Sequence, residues 1–134
     1  MSSFSDVINV ETTEREQMLD ITVMVQRVVS ASGIEHGIAL VASLHTTGGI
    51  TVQEGADPDV QRDMIQHLRT LVPLESGFRH AEGNSDAHLK VALVGSSQGL
   101  PVTHGQIELG TWQRIFFCDF DGPRRRKVMV TIVG

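Results

Sequence analysis

The sequence predicts an α+β fold, because segments with helical and with strand-like apolar patterns occur together in a chain of 134 residues. Two segments carry apolar residues at helical spacing, and several shorter ones carry the continuous or alternating apolar residues of strands. A chain of this length can bury a hydrophobic core without disulfides or metals. We therefore expect residues 1–134 to form one domain.

The first predicted helix begins after Asp20, a plausible N-cap, and ends at Gly33. Between them Ile21, Val25 and Val28 recur at helical spacing. β-Branched residues are poor helix formers, but the spacing favours a helix here.

Two strands are predicted next. Residues 37–44 form an apolar run that is too short for most helices, and we interpret it as a buried strand. Residues 50–53 alternate apolar and polar side chains and predict a second strand. Residues 46–49 then connect the two strands, unless both belong to one long bent strand.

Asp57 and Pro58 predict the start of a second helix, because aspartate caps free amides and proline is tolerated at the first helical position. Val60 and Met64 begin an apolar stripe along this helix, and Pro73 marks its end.

Residues 77–86 carry turn formers and few apolar side chains, which predicts a loop. Asp86 is a candidate cap for a short helix that runs to Val94 and ends at Gly95. His88 would then lie in the first turn of that helix.

The remaining residues are mostly strand-like. Both faces of residues 112–120 are largely apolar, which predicts a central strand with Cys118 in the core. Residues 121–123 predict a turn, and residues 128–132 alternate as a last strand. Residues 100–102 form another short extended piece.

Composition excludes several classes of partner. Eleven basic and sixteen acidic residues give a net charge of −5, which argues against a nucleic-acid binder. No apolar run has the length of a membrane span, so we expect no membrane partner. Cys118 is the only cysteine and the amino terminus lacks the pattern of a secretory signal, which predicts a reducing compartment, the cytoplasm.

One basic run, residues 124–127, stands out in this acidic chain. It is either a solvated hairpin end or a site for phosphate, whose oxygens match the planar fork of arginine. An acidic protein with one basic cluster suits a small phosphorylated ligand better than a polymer. Arg124 and Arg126 are the candidate phosphate contacts.

Three histidines, His45, His80 and His88, lie beside small, polar or turn-forming residues. Imidazole is the commonest neutral metal ligand, and three that converge leave one open position on a tetrahedral ion such as zinc. His80 and His88 are eight positions apart, which is not a tight metal spacing. Each histidine could instead be a hydrogen-bonded structural residue.

Other polar residues have both functional and structural interpretations. The hydroxyls of Thr46 and Thr47, with the glycine amides that follow, could bind an anion or form an ordinary turn. Glu54 could act as a general acid or base, or it could be solvated at the surface. Asp86 could be a metal ligand, a partner that orients a histidine, or only a helix cap.

Several motifs occur in an order that is specific for one family. They include Leu44-His45-Thr46-Thr47, Ala87-His88-Leu89-Lys90 and Gly110-Thr111-Trp112-Gln113. On these motifs the chain resembles the YjbQ-type family, also called the secondary thiamine-phosphate synthase family, from about residue 20 to residue 134.

The resemblance implies an α+β fold with mixed sheets and two or three helices, a homotrimer, and a histidine-lined divalent-metal site near the subunit boundary. Zinc is the expected ion, and magnesium is the alternative with a diphosphate substrate. The recurring positions of the family match the histidines His45, His80 and His88 and the residues Glu54, Trp112 and Gln113.

The activity that the resemblance implies joins hydroxymethylpyrimidine diphosphate to thiazole phosphate, giving thiamine phosphate and pyrophosphate. In this hypothesis the three histidines hold the metal, and Glu54 and His45 are catalytic. The alternatives are a non-enzymatic trimer that binds a metal and a small phosphorylated metabolite, and a purely structural trimer. Trp112 would stack on a ring of the ligand or, as we expect, lie in the core. The substrate contacts are predicted to be Thr46, Thr47, Gln113, Arg124 and Arg126.

Overall fold

The structure, a computed structural model, describes residues 1–134 and contains two β-sheets and three α-helices. In chain order the elements are β1 (Ser3–Glu11), β2 (Gln17–Asp20), α1 (Thr22–Ser32), β3 (Gly37–Ser43), β4 (Gly48–Glu54), α2 (Pro58–Leu71), α3 (Ser85–Val94), β5 (Ser97–Thr103), β6 (Gln106–Ile107), β7 (Gln113–Asp119) and β8 (Arg125–Val133).

The α+β class is confirmed, but the expectation of mixed sheets is wrong. A five-stranded sheet has the order β1-β8-β3-β5-β6, and a three-stranded sheet has the order β2-β7-β4. Every strand pairing is antiparallel. The helical connections explain this: α1 joins β2 to β3, and α2 with α3 joins β4 to β5, so each leads from one sheet to the other. Parallel neighbours need a crossover that returns to the same sheet.

The larger core lies between the inner face of the five-stranded sheet, α1 and the inner face of the three-stranded sheet. Successive side chains of a strand point to opposite faces, so every second residue of these strands contributes a side chain to this core. The side chains that the two sheets and α1 contribute include Val25, Val29, Val41, Ile50, Ile115, Phe117, Val128, Val130 and Ile132.

A second, smaller core covers the other face of the three-stranded sheet. Phe116, Cys118 and Phe120 pack there against Ala87 and Val91 of α3. The predicted division of β7 into two apolar faces is therefore confirmed, as is its central place between β2 and β4. Burial in this core raises the pKa of the Cys118 thiol to about 12, so the thiol stays protonated at neutral pH.

The first two helices begin and end close to the predicted positions. Ile21 is the N-cap of α1, and the Asp20 carboxylate accepts a hydrogen bond from the Thr22 N–H (2.9 Å). Gly33 ends α1 in the left-handed region (φ 69°), which favours glycine. Asp57 caps α2 as predicted, by accepting from the Asp59 N–H (2.9 Å).

The start of α3 differs from the prediction. Asn84, not Asp86, is its N-cap residue, and Asp86 has no exposed side-chain surface. Arg15 donates two hydrogen bonds to the Asp86 carboxylate (3.0 and 3.1 Å), and Lys90 one turn later donates a third (2.9 Å). Asp86 is therefore a buried ion-pair partner that fixes α3 to the segment before β2.

Lys90 carries this ion-pair network further. Its side chain is 1% exposed, and its ammonium also contacts the Glu16 carboxylate (3.0 Å), which in turn accepts from Arg69 of α2 (2.8 Å). The two helices that follow β4 are thus tied to the same short segment.

Neither β1 nor β2 was predicted from the sequence. β1 is mostly polar, and only Val10 within it is buried.

No helix in the structure is both long enough and apolar enough to pass through a membrane.

The buried carboxylates make the stability of the fold depend on acid pH. Burial opposes their ionisation, but hydrogen bonds from Arg15 and Lys90 outweigh it and hold the pKa of Asp86 below its ordinary value. Arg69 and Lys90 do the same for the pKa of Glu16. The unfolded chain then takes up protons at a higher pH than the folded chain, so this stabilisation is complete above the ordinary carboxyl pKa.

We predict that the free energy of unfolding falls as the pH is lowered below about 4, through the lowered pKa values. Urea unfolding at stepped pH measures it. Asp86→Asn should flatten the slope, whereas Asp63→Asn, a change at an exposed residue of α2, should leave it unchanged. Equal slopes in the two variants would contradict the assignment.

Candidate functional site

The candidate site forms where the chain passes from one sheet to the other, between β3 and β4. Ser43 shapes this passage, because its hydroxyl accepts from the His45 N–H (3.2 Å) and donates to the Gly48 carbonyl (2.7 Å). A Cβ at Gly48 would collide with the buried Phe117 ring, so glycine is required there. The two predicted strands are therefore separate strands in different sheets, and the loop between them presents His45, Thr46 and Thr47.

A polar cavity of about 460 Å³ opens beside this loop. The loop forms one wall, the start of α3 forms the second, and the segment from β7 to β8 forms the third. Its lining residues are Leu44, His45, Thr46, Thr47, Glu82, Asn84, His88, Asp121, Arg124, Arg125 and Arg126.

A buried ion pair forms the floor of the cavity. Asp119 ends β7 with no exposed side-chain surface, and Arg126 in β8 is 3% exposed. The guanidinium donates to both carboxylate oxygens, from Nε (3.0 Å) and Nη2 (2.7 Å). Thr12 adds a hydroxyl donor to Asp119 (2.7 Å), and Nη2 also donates to the Thr47 hydroxyl (2.9 Å). The pair thus joins the end of one sheet to the start of the other and fixes the loop.

The predicted phosphate contacts differ in their exposure to solvent. Arg126 and Thr47 line the cavity, but both are buried and hydrogen-bonded to each other. Arg124 and Arg125 are the exposed cations, with 55% and 92% of their side chains exposed, and each also contacts one carboxylate: Arg124 that of Asp121 (3.1 Å) and Arg125 that of Glu11 (3.2 Å). Gly48 is buried within β4, so its amide belongs to the sheet rather than to an anion-binding turn.

Asp121 connects Arg124 to the start of α3. The Arg124 guanidinium donates to the Asp121 carbonyl (2.8 Å) and carboxylate (3.1 Å), and the Asn84 Nδ2 donates to the same carboxylate oxygen (2.8 Å). The guanidinium is therefore held in place at the cavity rather than freely mobile.

The surroundings of His45 favour its neutral form. Its Nε2 accepts a hydrogen bond from the Lys127 N–H (2.8 Å), so in the neutral ring the proton resides on Nδ1. Burial lowers the pKa of His45, and the positive charge of Arg126 lowers it further. At neutral pH this imidazole fixes β8 to the loop and is not a cation for a ligand.

The other two histidines lie together. The rings of His80 and His88 meet edge to face, with centroids 5.4 Å apart, and His88 also lines the cavity. The predicted three-histidine metal site does not fit this arrangement: one chain contains no group of three or more His, Cys, Asp or Glu side chains placed to hold a metal ion. The Nε2 of His45, moreover, already accepts the Lys127 amide.

The remaining predicted site residues lie at the opposite end of the three-stranded sheet. Glu54 ends β4 beside Gln113, whereas Gly48 begins it beside the cavity. Six strand residues separate these ends by about 20 Å. The Glu54 carboxylate accepts from the N–H groups of Ala56 and Asp57 (both 2.8 Å) and so supports the turn before α2.

The expected burial of Trp112 is wrong, because 63% of this residue is exposed. It lies in the turn before β7, outside the apolar alternation that begins with Ile115. Glu54, Trp112 and Gln113 therefore form a group that a single chain does not bring to the histidine cavity.

Sequence reasoning missed three polar lining residues, Glu82, Asn84 and Asp121, and included Arg125 only as part of the basic run. Asn84 had a detectable signal, since asparagine is a preferred residue at helix starts. Asp121 was assigned only to a turn. Its role depends on the approach of α3 to the β7–β8 turn, which no local pattern reveals.

Known proteins with similar sequences and folds form one group. The family described as "UPF0047 protein YjbQ-like" matches residues 6–134. A UPF0047 protein of Methanocaldococcus jannaschii is 49% identical over 93% of this chain and 91% of its own length. The UPF0047 protein YugU of Bacillus subtilis is 45% identical over 95% of this chain and 97% of its own length.

Solved structures agree with this grouping. A crystal structure of a YjbQ/UPF0047-family protein from Clostridium acetobutylicum has a TM-score of 0.94 and 46% identity, over 96% of this chain and 99% of that one. A YbjQ-like protein of unknown function from Sulfolobus solfataricus has a TM-score of 0.95 and 31% identity, over 99% and 98% of the two chains.

Arg125 and Arg126 are consecutive, but only Arg126 belongs to the buried ion pair at the cavity floor, so the two can be compared directly. We predict that Arg126→Ala lowers the free energy of unfolding by about 3–5 kcal/mol, because it leaves the buried Asp119 carboxylate without its cation. Arg125→Ala, a change at an exposed side chain, should cost less than about 0.5 kcal/mol. Urea unfolding of the two variants at neutral pH measures both, and similar losses would contradict the structural role of Arg126.

Proposed function

The chain belongs to the UPF0047 YjbQ-like family, as its motifs predict, and we propose that it binds a small phosphorylated metabolite in the polar cavity. The observation that carries this proposal is the pair of exposed arginines, Arg124 and Arg125, beside the Thr46 hydroxyl and the His88 imidazole. Charged and neutral donors that converge on one cavity match the several oxygens of a phosphate group.

The negative overall charge of the chain favours small anions over polyanions at Arg124 and Arg125. Because the chain carries a net charge of −5, a polyanion such as a nucleic acid would meet repulsion beyond the cavity. A small anion contacts only the wall itself. The cavity volume of about 460 Å³ is in the range of small-molecule sites.

Transfer chemistry at the same cavity is a second candidate function, and thiamine-phosphate synthesis is its named form. The observation that favours it is the edge-to-face pair His80 and His88, since imidazole is the side chain most often used as a general acid or base. Joining a pyrimidine diphosphate to a thiazole phosphate releases pyrophosphate. Arg124 would stabilise the developing charge on that leaving group.

A homotrimer is part of the proposal, because the outer face of the five-stranded sheet carries an apolar patch around β3. Ile38 and Leu40 of β3 are 60% and 45% exposed, and the β8 partners on the same face include Met129 and Val133, each 37% exposed. Contiguous apolar faces of this kind are typical of interaction surfaces.

Assembly would also give Glu54 and Gln113 a way to reach a cavity. They lie at the far end of their own sheet, so only a neighbouring subunit could bring them to the histidines. A catalytic role for Glu54 therefore depends on the trimer. The lone buried Cys118 and the reducing compartment it suits favour a cytoplasmic location.

We predict that inorganic pyrophosphate binds the wild-type protein and that Arg124→Ala weakens this binding about tenfold or more, since a charge-assisted contact is lost. Isothermal titration calorimetry at low ionic strength measures it. Arg62→Ala removes a cation that is 81% exposed on α2, outside the cavity, and should have little effect. Equal affinities in all three proteins would refute the anion site.

The same preparations separate the two candidate functions. Formation of thiamine phosphate from the pyrimidine diphosphate and the thiazole phosphate, with or without added zinc or magnesium, supports transfer if His88→Ala abolishes it. Pyrophosphate binding without turnover supports the binding function and contradicts transfer.

We predict that Leu40→Lys converts the trimer to monomers, because it places a charge at the centre of the apolar sheet face. Light scattering at micromolar concentration measures the mass. Val23→Lys changes an apolar residue of α1 that is 56% exposed and should remain trimeric. A monomeric wild-type protein would count against the proposed assembly.

A further inference from the structure

A second cavity adjoins the polar cavity and extends the candidate site along α3. Its volume is about 490 Å³, and it lies between the loop after β3, the middle of α3 and the residue before β5. Four residues line both cavities and form the boundary between them: Leu44, His45, Thr46 and His88. A ligand that crosses this boundary would therefore occupy both cavities at once.

The two cavities differ in charge. The polar cavity is lined by five acidic or basic side chains, which are Glu82, Asp121, Arg124, Arg125 and Arg126. The second cavity is lined by no Asp, Glu, Lys or Arg residue, and the residues that belong to it alone are Ser43, Val91, Ala92 and Ser96. A charged group that leaves water without a partner is unfavourable, so an anion is favoured only in the polar cavity.

The polar groups of the second cavity are already paired within the protein. The Ser43 N–H donates to the Ser96 carbonyl (2.8 Å), and the Ser43 hydroxyl donates to the Gly48 carbonyl (2.7 Å). At the boundary, the His45 Nε2 accepts from the Lys127 N–H (2.8 Å). Few groups therefore remain to bind a strongly polar ligand in this cavity.

The same cavity exposes apolar surface that no other part of the chain covers. Leu44 at the boundary is 50% exposed and belongs to neither core. On the opposite side, α3 contributes Val91 and the exposed Ala92. An apolar group placed between these side chains would remove their surface from water, which is favourable.

We propose that the second cavity binds the organic part of the phosphorylated ligand, and that this part is uncharged and partly apolar. The inference rests on the proposed anion site and specifies its ligand: a phosphate monoester whose phosphate meets Arg124 and Arg125 while its alkyl or ring portion lies against Leu44 and Ala92. Small-molecule sites commonly combine apolar walls with a few polar groups in this way. A ligand with a charged group at the far end of its arm does not match the uncharged cavity.

Three phosphate monoesters test the inference by isothermal titration calorimetry, at a pH at which each phosphate is a dianion. Methyl phosphate has no arm that reaches the second cavity, n-butyl phosphate adds an apolar arm, and 3-carboxypropyl phosphate ends an arm of similar length in a carboxylate. We expect wild-type protein to bind butyl phosphate about tenfold more tightly than methyl phosphate, because the added methylenes leave water. The carboxypropyl ester should bind no more tightly than methyl phosphate.

A matched pair of substitutions locates the arm. Ala92→Phe fills the second cavity from α3 and should remove most of the advantage of butyl over methyl phosphate. Ala31→Phe makes the same change at an exposed position of α1, outside both cavities, and should keep the wild-type ratio of the two affinities.

Each outcome decides a different point. Equal wild-type affinities for methyl and butyl phosphate overturn the inference, while pyrophosphate binding would still support the anion site. A carboxypropyl ester that binds as tightly as butyl phosphate overturns the requirement for an uncharged arm. An advantage of butyl phosphate that survives in Ala92→Phe overturns the assignment to this cavity. Failure of the wild-type protein to bind pyrophosphate and all three esters overturns the proposed function, and the inference with it. The wild-type series decides these points even if Ala92→Phe does not fold.

Discussion

The buried ion pair between Asp119 and Arg126 is the constraint on which the cavity depends. Asp119 closes the central strand of the small sheet, and Arg126 lies near the start of a strand in the large one. Two buried charges are tolerated only when each satisfies the other, so the two sheet ends must meet in one geometry. The Thr47 hydroxyl joins the same group, and this fixes the loop that carries His45. The loop wall of the cavity is thus held in place by hydrogen bonds within the protein and does not need a ligand to form it.

A second buried network performs the same task for the opposite wall. Asp86, Lys90 and Glu16 are almost entirely inaccessible, and together they fix α3 to the segment before β2. His88 and Asn84 lie at the start of that helix, so the network also determines where they face the cavity. Both walls of the site are therefore held by charges in the interior, while Arg124 and Arg125 stay exposed and form only surface ion pairs, with Asp121 and Glu11. This division explains why neighbouring basic residues in one run have different roles.

The predicted site residues of this chain are divided between two places in the fold. His45 and His88 line one end of the molecule, and Glu54 with Gln113 lies at the other end of the small sheet. A single chain therefore presents two partial groups rather than one complete constellation. The proposed trimer, which would associate through the apolar patch around β3, is the arrangement that could unite the two groups. Recognition of a phosphorylated ligand, by contrast, needs only residues of one chain.

Local patterns were sufficient for the α+β class, for α1 and α2 with their ends, and for the two apolar faces of β7, because periodicity and capping act within a few residues of sequence. They also identified the histidine motifs and the basic run. Only the tertiary structure decided that Asp86 is an ion-pair partner, that Arg126 is buried while Arg124 is exposed, and that Trp112 lies outside the core. It also decided that all sheet pairings are antiparallel. These features arise from contacts between segments far apart in sequence, where the partner of a charge, and not its own neighbours, determines its role.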